Sequence, residues 1–296
     1  MADEAGAAAR GRDGGNTTSL ALRLETRAAE LAAHVIGDMY ERPFWSERFG
    51  KRGREHSDQD CRYHFQFLVS ALRESDPKIF TKYSRWLQTL LTTRGMCSRH
   101  IEESFERIQR VIEKDIDGAS PAAEILTLGR SALRYDTGPA RALQEAAPRL
   151  VDAAMTAHRE RSSAPTDTAA PTDTAAPTDA AAPTDAAAPT TAAPTARNGD
   201  HASSERENLV DGFSFLADAM HLERVDGLRS YLAWIDDFGR RLDPASHAAH
   251  TLVTQVRTAI AEDDALGDEV RLLANKLLAG ALTRSSQAPP SHRATP

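Results

Sequence analysis

Prolines at 165, 171, 177, 183 and 189 punctuate a tract made almost wholly of Ala, Pro, Thr and Asp. A proline every sixth residue removes amide donors and clashes with the preceding turn, so no continuous helix passes through it. The tract also holds nothing large and apolar to bury. It reads as a disordered APTDTA-repeat linker over 161–204, flanked by an N-terminal helical bundle at 19–160 and a C-terminal one at 205–285, with disordered tails at 1–18 and 286–296.

Outside the tract the apolar residues recur every three or four positions. Leu24, Ala28, Leu31, Val35 and Met39 form one stripe that ends near Pro43. Cys61, His64, Phe65, Leu68, Ala71 and Leu72 line the inner face of a helix expected over 57–74. Asp76-Pro77 starts the next helix, which carries Phe80, Tyr83, Trp86 and Leu87 and stops at Gly95. Ser98 is placed to cap a helix with Ile101, Phe105, Ile108 and Ile112 inward, and two further helices are expected over 121–133 and 139–157. No stretch alternates with period two, so the expected class is all-α.

The two bundles share a register. Phe65, Phe67, Leu68, Ala71, Tyr83 and Trp86 each have the same residue 148 positions later, at Phe213, Phe215, Leu216, Ala219, Tyr231 and Trp234. With only three Trp and five Tyr in 296 residues, this coincidence implies internal duplication. Ile101, Phe105, Ile108 and Ile112 fall opposite Ala249, Val253, Val256 and Ile260 at that offset. The stripe at 24–39 has no counterpart at the same offset, because the linker occupies its place. The second copy is therefore expected to lack one helix and to pack against another helical surface, either the first bundle or a second chain.

A net charge of −7 gives no overall attraction to nucleic acid or anionic lipid, and the basic segment Arg42–Arg62 is nearly neutralised by its own acids, so nucleic acid is not an expected partner. No apolar run is long enough for a membrane span, and no apolar leader precedes residue 16. Two cysteines, Cys61 and Cys97, make neither a disulfide framework nor a Cys-x-x-Cys pair, which suits a reducing, cytoplasmic setting. No P-loop, G-x-G-x-x-G or G-x-S-x-G is present.

The run Arg48–Leu72, with D-x-x-x-H-x-x-F-L at Asp60–Leu68, and the run Asp76–Gly95, with Y-x-x-W at Tyr83–Trp86, resemble the helical N-terminal module of bacterial cobalamin-binding regulatory proteins. That resemblance implies a helical sensory or regulatory module. The D-x-H-x-x-G loop of the family's corrin-binding domain does not occur in the chain, so cobalamin or another tetrapyrrole would require a partner domain, and no cofactor is expected for the chain alone.

The expected function is non-catalytic and regulatory: binding of a small ligand or a protein partner, with self-association as one form of it. Candidate ligand-binding residues are His64, Tyr83, Trp86, Tyr231 and Trp234. The rival reading is a metal- or tetrapyrrole-binding helical bundle, enzyme or carrier. Its ligands would be Glu30 with His34 and Asp60 with His64, each pair four residues apart on a helix so that carboxylate and imidazole share a face. No catalytic set is assigned, since nothing in the sequence orients Cys61 and His64 as nucleophile and base.

Overall fold

In the computed structural model residues 2–163 and 198–283 are described, with side chains over 17–161 and 204–283. The expected linker falls largely outside them and the C-terminal tail wholly so. The described residues form ten helices and no strand: α1 (Ala2–Met39), α2 (Pro43–Arg73), α3 (Lys78–Thr92), α4 (Ser98–Asp115), α5 (Ser120–Ser131), α6 (Gly138–Ser163), α7 (Asn198–Leu222), α8 (Asp226–Leu242), α9 (Ala248–Glu262) and α10 (Asp268–Leu282). The all-α expectation holds, and none of these helices is long and apolar enough to cross a membrane. α1 starts at Ala2, inside the stretch read as a tail.

The duplication is visible in burial. Phe65 and Phe213, Leu68 and Leu216, Tyr83 and Tyr231, Leu87 and Ile235, Phe105 and Val253, and Ile112 and Ile260 are all buried at the 148-residue offset. The match continues one helix further, since Ala122 and Leu126 of α5 correspond to Val270 and Ala274 of α10, also buried. All these side chains join one continuous apolar core across both halves. The second bundle therefore docks on the first.

The expectation that the second copy lacks a helix is corrected by the packing. α6 lies along α7 and α9 as α1 lies along α2 and α4. Its buried Leu143, Leu150, Val151, Ala154 and Met155 repeat the pattern of Leu24, Leu31, Ala32, Val35 and Ile36, but 119 residues apart rather than 148. The proline tract lengthens the α6–α7 connection relative to that between α1 and α2, so a search at constant offset passes over this helix. The repeating unit is five helices, α1–α5 and α6–α10, and the tract sits inside the second unit.

A second correction concerns 43–56, which lies between the stripe ending near Pro43 and the helix expected from residue 57 and is assigned to neither. Pro43 starts α2 there, at a position where a missing amide costs nothing. Gly50, at φ 62° and ψ −162°, breaks the helix without ending it. The helical turn before that break carries Phe44 and Trp45 into the core. At α4 the N-cap is Cys97, whose sulfur accepts the His100 amide, and Ser98 is left to bond elsewhere.

α5 approaches α3 closely because Gly129 presents no side chain. A Cβ there would lie 2.4 Å from Cε1 of the fully buried Phe80, whose ring is held by Tyr83 and Phe105. Gly129→Ala is expected to lose about 1–3 kcal/mol despite the better helix propensity of alanine, read as a fall in the denaturation midpoint.

Candidate functional site

The polar groups buried between the two halves gather on α2, α4 and α7. Arg42, just before α2, reaches three carboxylates: Nη1 to Glu103 at 3.2 Å, Nε to Glu207 at 2.8 Å and Nη2 to Asp211 at 3.1 Å. Glu103 also takes Arg107, which pairs with Asp38. Seven residues further along α7, Asp218 accepts the amide and hydroxyl of Ser98 at 2.8 and 2.6 Å and the phenol of Tyr135. Burial raises the Asp218 carboxyl, and those hydrogen bonds offset only part of the rise.

Cys97, His100 and Asp211 place donor atoms within 4.8 Å of one another, the one group of three metal-capable side chains among the described residues that does so. Asp211 is raised by burial but outweighed by His100 and Arg42, which hold it below the usual carboxylate range. Burial opposes a charge on His100, while Cys97 and Asp211 favour one. The hydrogen-bond geometry points the other way: Nδ1 accepts the Cys97 amide at 3.3 Å, which a protonated Nδ1 cannot do. A neutral ring with its proton on Nε2, which faces Asp211 at 3.4 Å, leaves Nδ1 able to accept, and we assign that state. Neither ring nitrogen then offers a free lone pair, and a cation would sit against Arg42. The cluster is a buried electrostatic clamp between the halves.

The metal candidates chosen from sequence are not brought together. Glu30 and His34 are exposed on α1, Glu30 bonded to Arg27 and His34 lying 3.4 Å from Asp115. Asp60 is exposed on α2. His64 is buried, with Nδ1 2.6 Å from the Tyr83 hydroxyl, a hydrogen bond between α2 and α3, and burial drives its pKa down to about 3.

The ligand candidates are brought together, in two separate places. Phe67 stacks on Tyr83 with centroids 3.9 Å apart, and Tyr83 on Trp86 at 6.0 Å. Phe215 stacks on Tyr231 at 4.5 Å, and Tyr231 on Trp234 at 6.1 Å. The repeat therefore builds one three-ring ladder twice, from a helix supplying Phe and the next supplying Tyr and Trp three residues apart. Their surroundings differ. In the second copy Phe215 is 2% exposed, and the turn 43–49 covers the rings: Phe44 meets Trp234 edge-on at 5.2 Å, and the Arg48 guanidinium lies 5.7, 5.4 and 5.6 Å from Phe215, Tyr231 and Trp234. In the first copy Phe67 is 37% and Trp86 58% exposed, and Tyr63 beside them is exposed as well. Sequence reasoning picked both Tyr–Trp pairs but missed Phe44 and Arg48 as the cover of one, and missed the Arg42 network.

Between the halves, a cleft of about 880 Å³ is lined by Arg42, Glu103, Arg107, Glu207, Asp211 and Trp234 among others, and within that set the charged groups pair with one another. The chain matches no protein-family model, no curated protein and no solved structure.

Proposed function

We propose that the protein is a non-catalytic, regulatory binding protein, and that its docking face is the open ladder Phe67–Tyr83–Trp86. One observation carries the reading: of the stack that the second copy covers, the first copy leaves the two outer rings, Phe67 and Trp86, exposed on either side of the buried Tyr83. Three of the seven large hydrophobic side chains exposed among the described residues, Tyr63, Phe67 and Trp86, fall on this face, and exposed apolar clusters mark interaction sites. The buried titratable groups support the absence of catalysis, being tied to one another, and burial pushes the Cys61 thiol up, away from the reactive thiolate. Two free, buried cysteines suit a cytoplasmic setting.

The test is photo-crosslinking in the cells that make the protein, with benzoylphenylalanine at position 86 and, as a control, at the exposed position of Leu272 on α10. A discrete cross-linked adduct at 86 but not at 272 is expected. Identical patterns at both positions would remove the basis for a docking face.

A further inference from the structure

Within this one chain the two ladders act as a bound and an unbound copy of the same device. We infer that the open ladder receives a helical turn of a partner protein that presents an aromatic ring and, four residues later, an arginine. The inference rests on the docking face proposed above and adds the chemistry of its occupant.

The template is the turn 43–49. Phe44 and Arg48 are four residues apart on the first turns of α2, before the break at Gly50, so both side chains leave the same face. Phe44 closes the edge of Trp234 while Arg48 lies beside all three rings. Arg48 is desolvated, which pulls its pKa down, and its Nη2 donates to the Gly95 carbonyl, 2.8 Å away. No carboxylate among the described residues forms an ion pair with it. The rings therefore do much of the work of receiving the guanidinium, as a cation–π site does.

The open ladder repeats the rings with a rim suited to the same guest. Asp60 stands where the covered copy has the neutral Asn208, close enough to Tyr83 that, with burial, its charge pushes the phenol up. An acid at that end of the stack favours a cation. Tyr63 stands where the covered copy has Asp211, the carboxylate that engages Arg42. The open site thus exchanges the anchor for a second arginine for additional aromatic surface.

The guest is not this chain. Positions 191–197, which correspond to 43–49, read Thr-Ala-Ala-Pro-Thr-Ala-Arg, and none of the stretches 1–16, 164–197 and 284–296 contains Phe, Tyr or Trp. In a second molecule Phe44 is already buried against its own Trp234, and Trp45 is buried as well. That leaves a different protein docking a short amphipathic helix into an aromatic groove.

The experiment uses the full chain and, as probe, a fluorescein-labelled synthetic peptide with the sequence of Arg42–Arg54, the one segment already shaped to such a ladder. Fluorescence anisotropy is expected to show saturable binding. Phe44→Ala or Arg48→Gln in the peptide, and Trp86→Ala or Phe67→Ala in the chain, should each weaken it by about tenfold. Phe67 and Trp86 are exposed, and circular dichroism of the two variants checks that the fold is unchanged. Absence of binding at about 1 mM peptide, or equal binding by the Arg48→Gln peptide, overturns the inference. Binding that survives Trp86→Ala places the peptide elsewhere and overturns it too. If the adduct at position 86 forms while the peptides ignore the arginine, the docking face stands and its chemistry falls; if neither is seen, both fall.

Discussion

Asp211→Ala is expected to cost about 3 kcal/mol of stability, with Asp211→Asn losing less, measured by denaturant unfolding. The carboxylate is buried on α7 and accepts from Arg42 while facing Nε2 of His100, so its removal leaves a desolvated guanidinium short of one partner and takes away the acid beside the imidazole N–H. Arg42 keeps Glu103 and Glu207, which limits the loss. Because these groups come from both halves, the damage should appear in the docking of α7 on α4, and the core of either half should persist longer than the contact between them. Asp211→Leu combined with His100→Phe replaces the pair with apolar volume and should recover part of the loss, since much of the penalty in the single variant is a stranded polar group. A single Asp211→Ala within a few tenths of a kcal/mol of the parent would show that the clamp contributes nothing.

Stability is expected to fall steeply on acidification, by about 3 kcal/mol at pH 4 relative to pH 7 from His64 alone. Burial holds its folded pKa down at about 3, so the native ring stays neutral while the unfolded chain gains a proton below its ordinary value of 6.5. The contribution is complete above pH 6.5 and is lost as pH falls towards 3. Asp211, held low, adds to the loss near its titration, and Asp218, raised by burial, works against it. His64→Gln should flatten the acid limb while costing stability at pH 7 through poorer packing against Phe105 and Tyr83. From pH 7 to about 8 the curve should be flat, as the neutral His100 requires; a fall there would mean a charged ring. Above that window it declines, because the unfolded chain releases protons that burial retains on Cys61 and Tyr83. Thermal midpoints across pH 4–10 for the parent and His64→Gln decide both points.

The helices were legible because the periodicity of buried residues such as Phe65, Leu68 and Leu72 is a local property of the chain. So was the paired Tyr–Trp register, which turned out to encode a complete stacking device. What escaped has identifiable causes. Residues 43–49 fell outside the expected helices because Pro43 and Gly50 bracket them, yet proline begins helices well and glycine bent this one without ending it. The partnership of α6 with α7 was hidden by a change of offset from 148 to 119. The Arg42 network joins residues up to 169 positions apart, each ordinary by itself. One trace was present: Asp211 and Asp218 lie seven apart on a helix whose neighbouring positions Leu209, Phe213 and Leu216 are core, so two acids were bound for the interior and required partners. Which of two identical ladders is covered could not be read locally, since the cover comes from another helix.

The location of α6 separates the chain's covalent boundary from its packing boundary. The conspicuous place to divide the protein is the proline tract, yet a cut there gives one fragment carrying a helix it does not need and another missing the helix it does. Such fragments would behave as the subunits of a heterodimer, each completing the other, in the manner of a domain swap confined to a single polypeptide. The short passage between α5 and α6, residues 132–137, is where the two five-helix units meet, and a piece meant to stand alone as the second unit has to begin at Gly138.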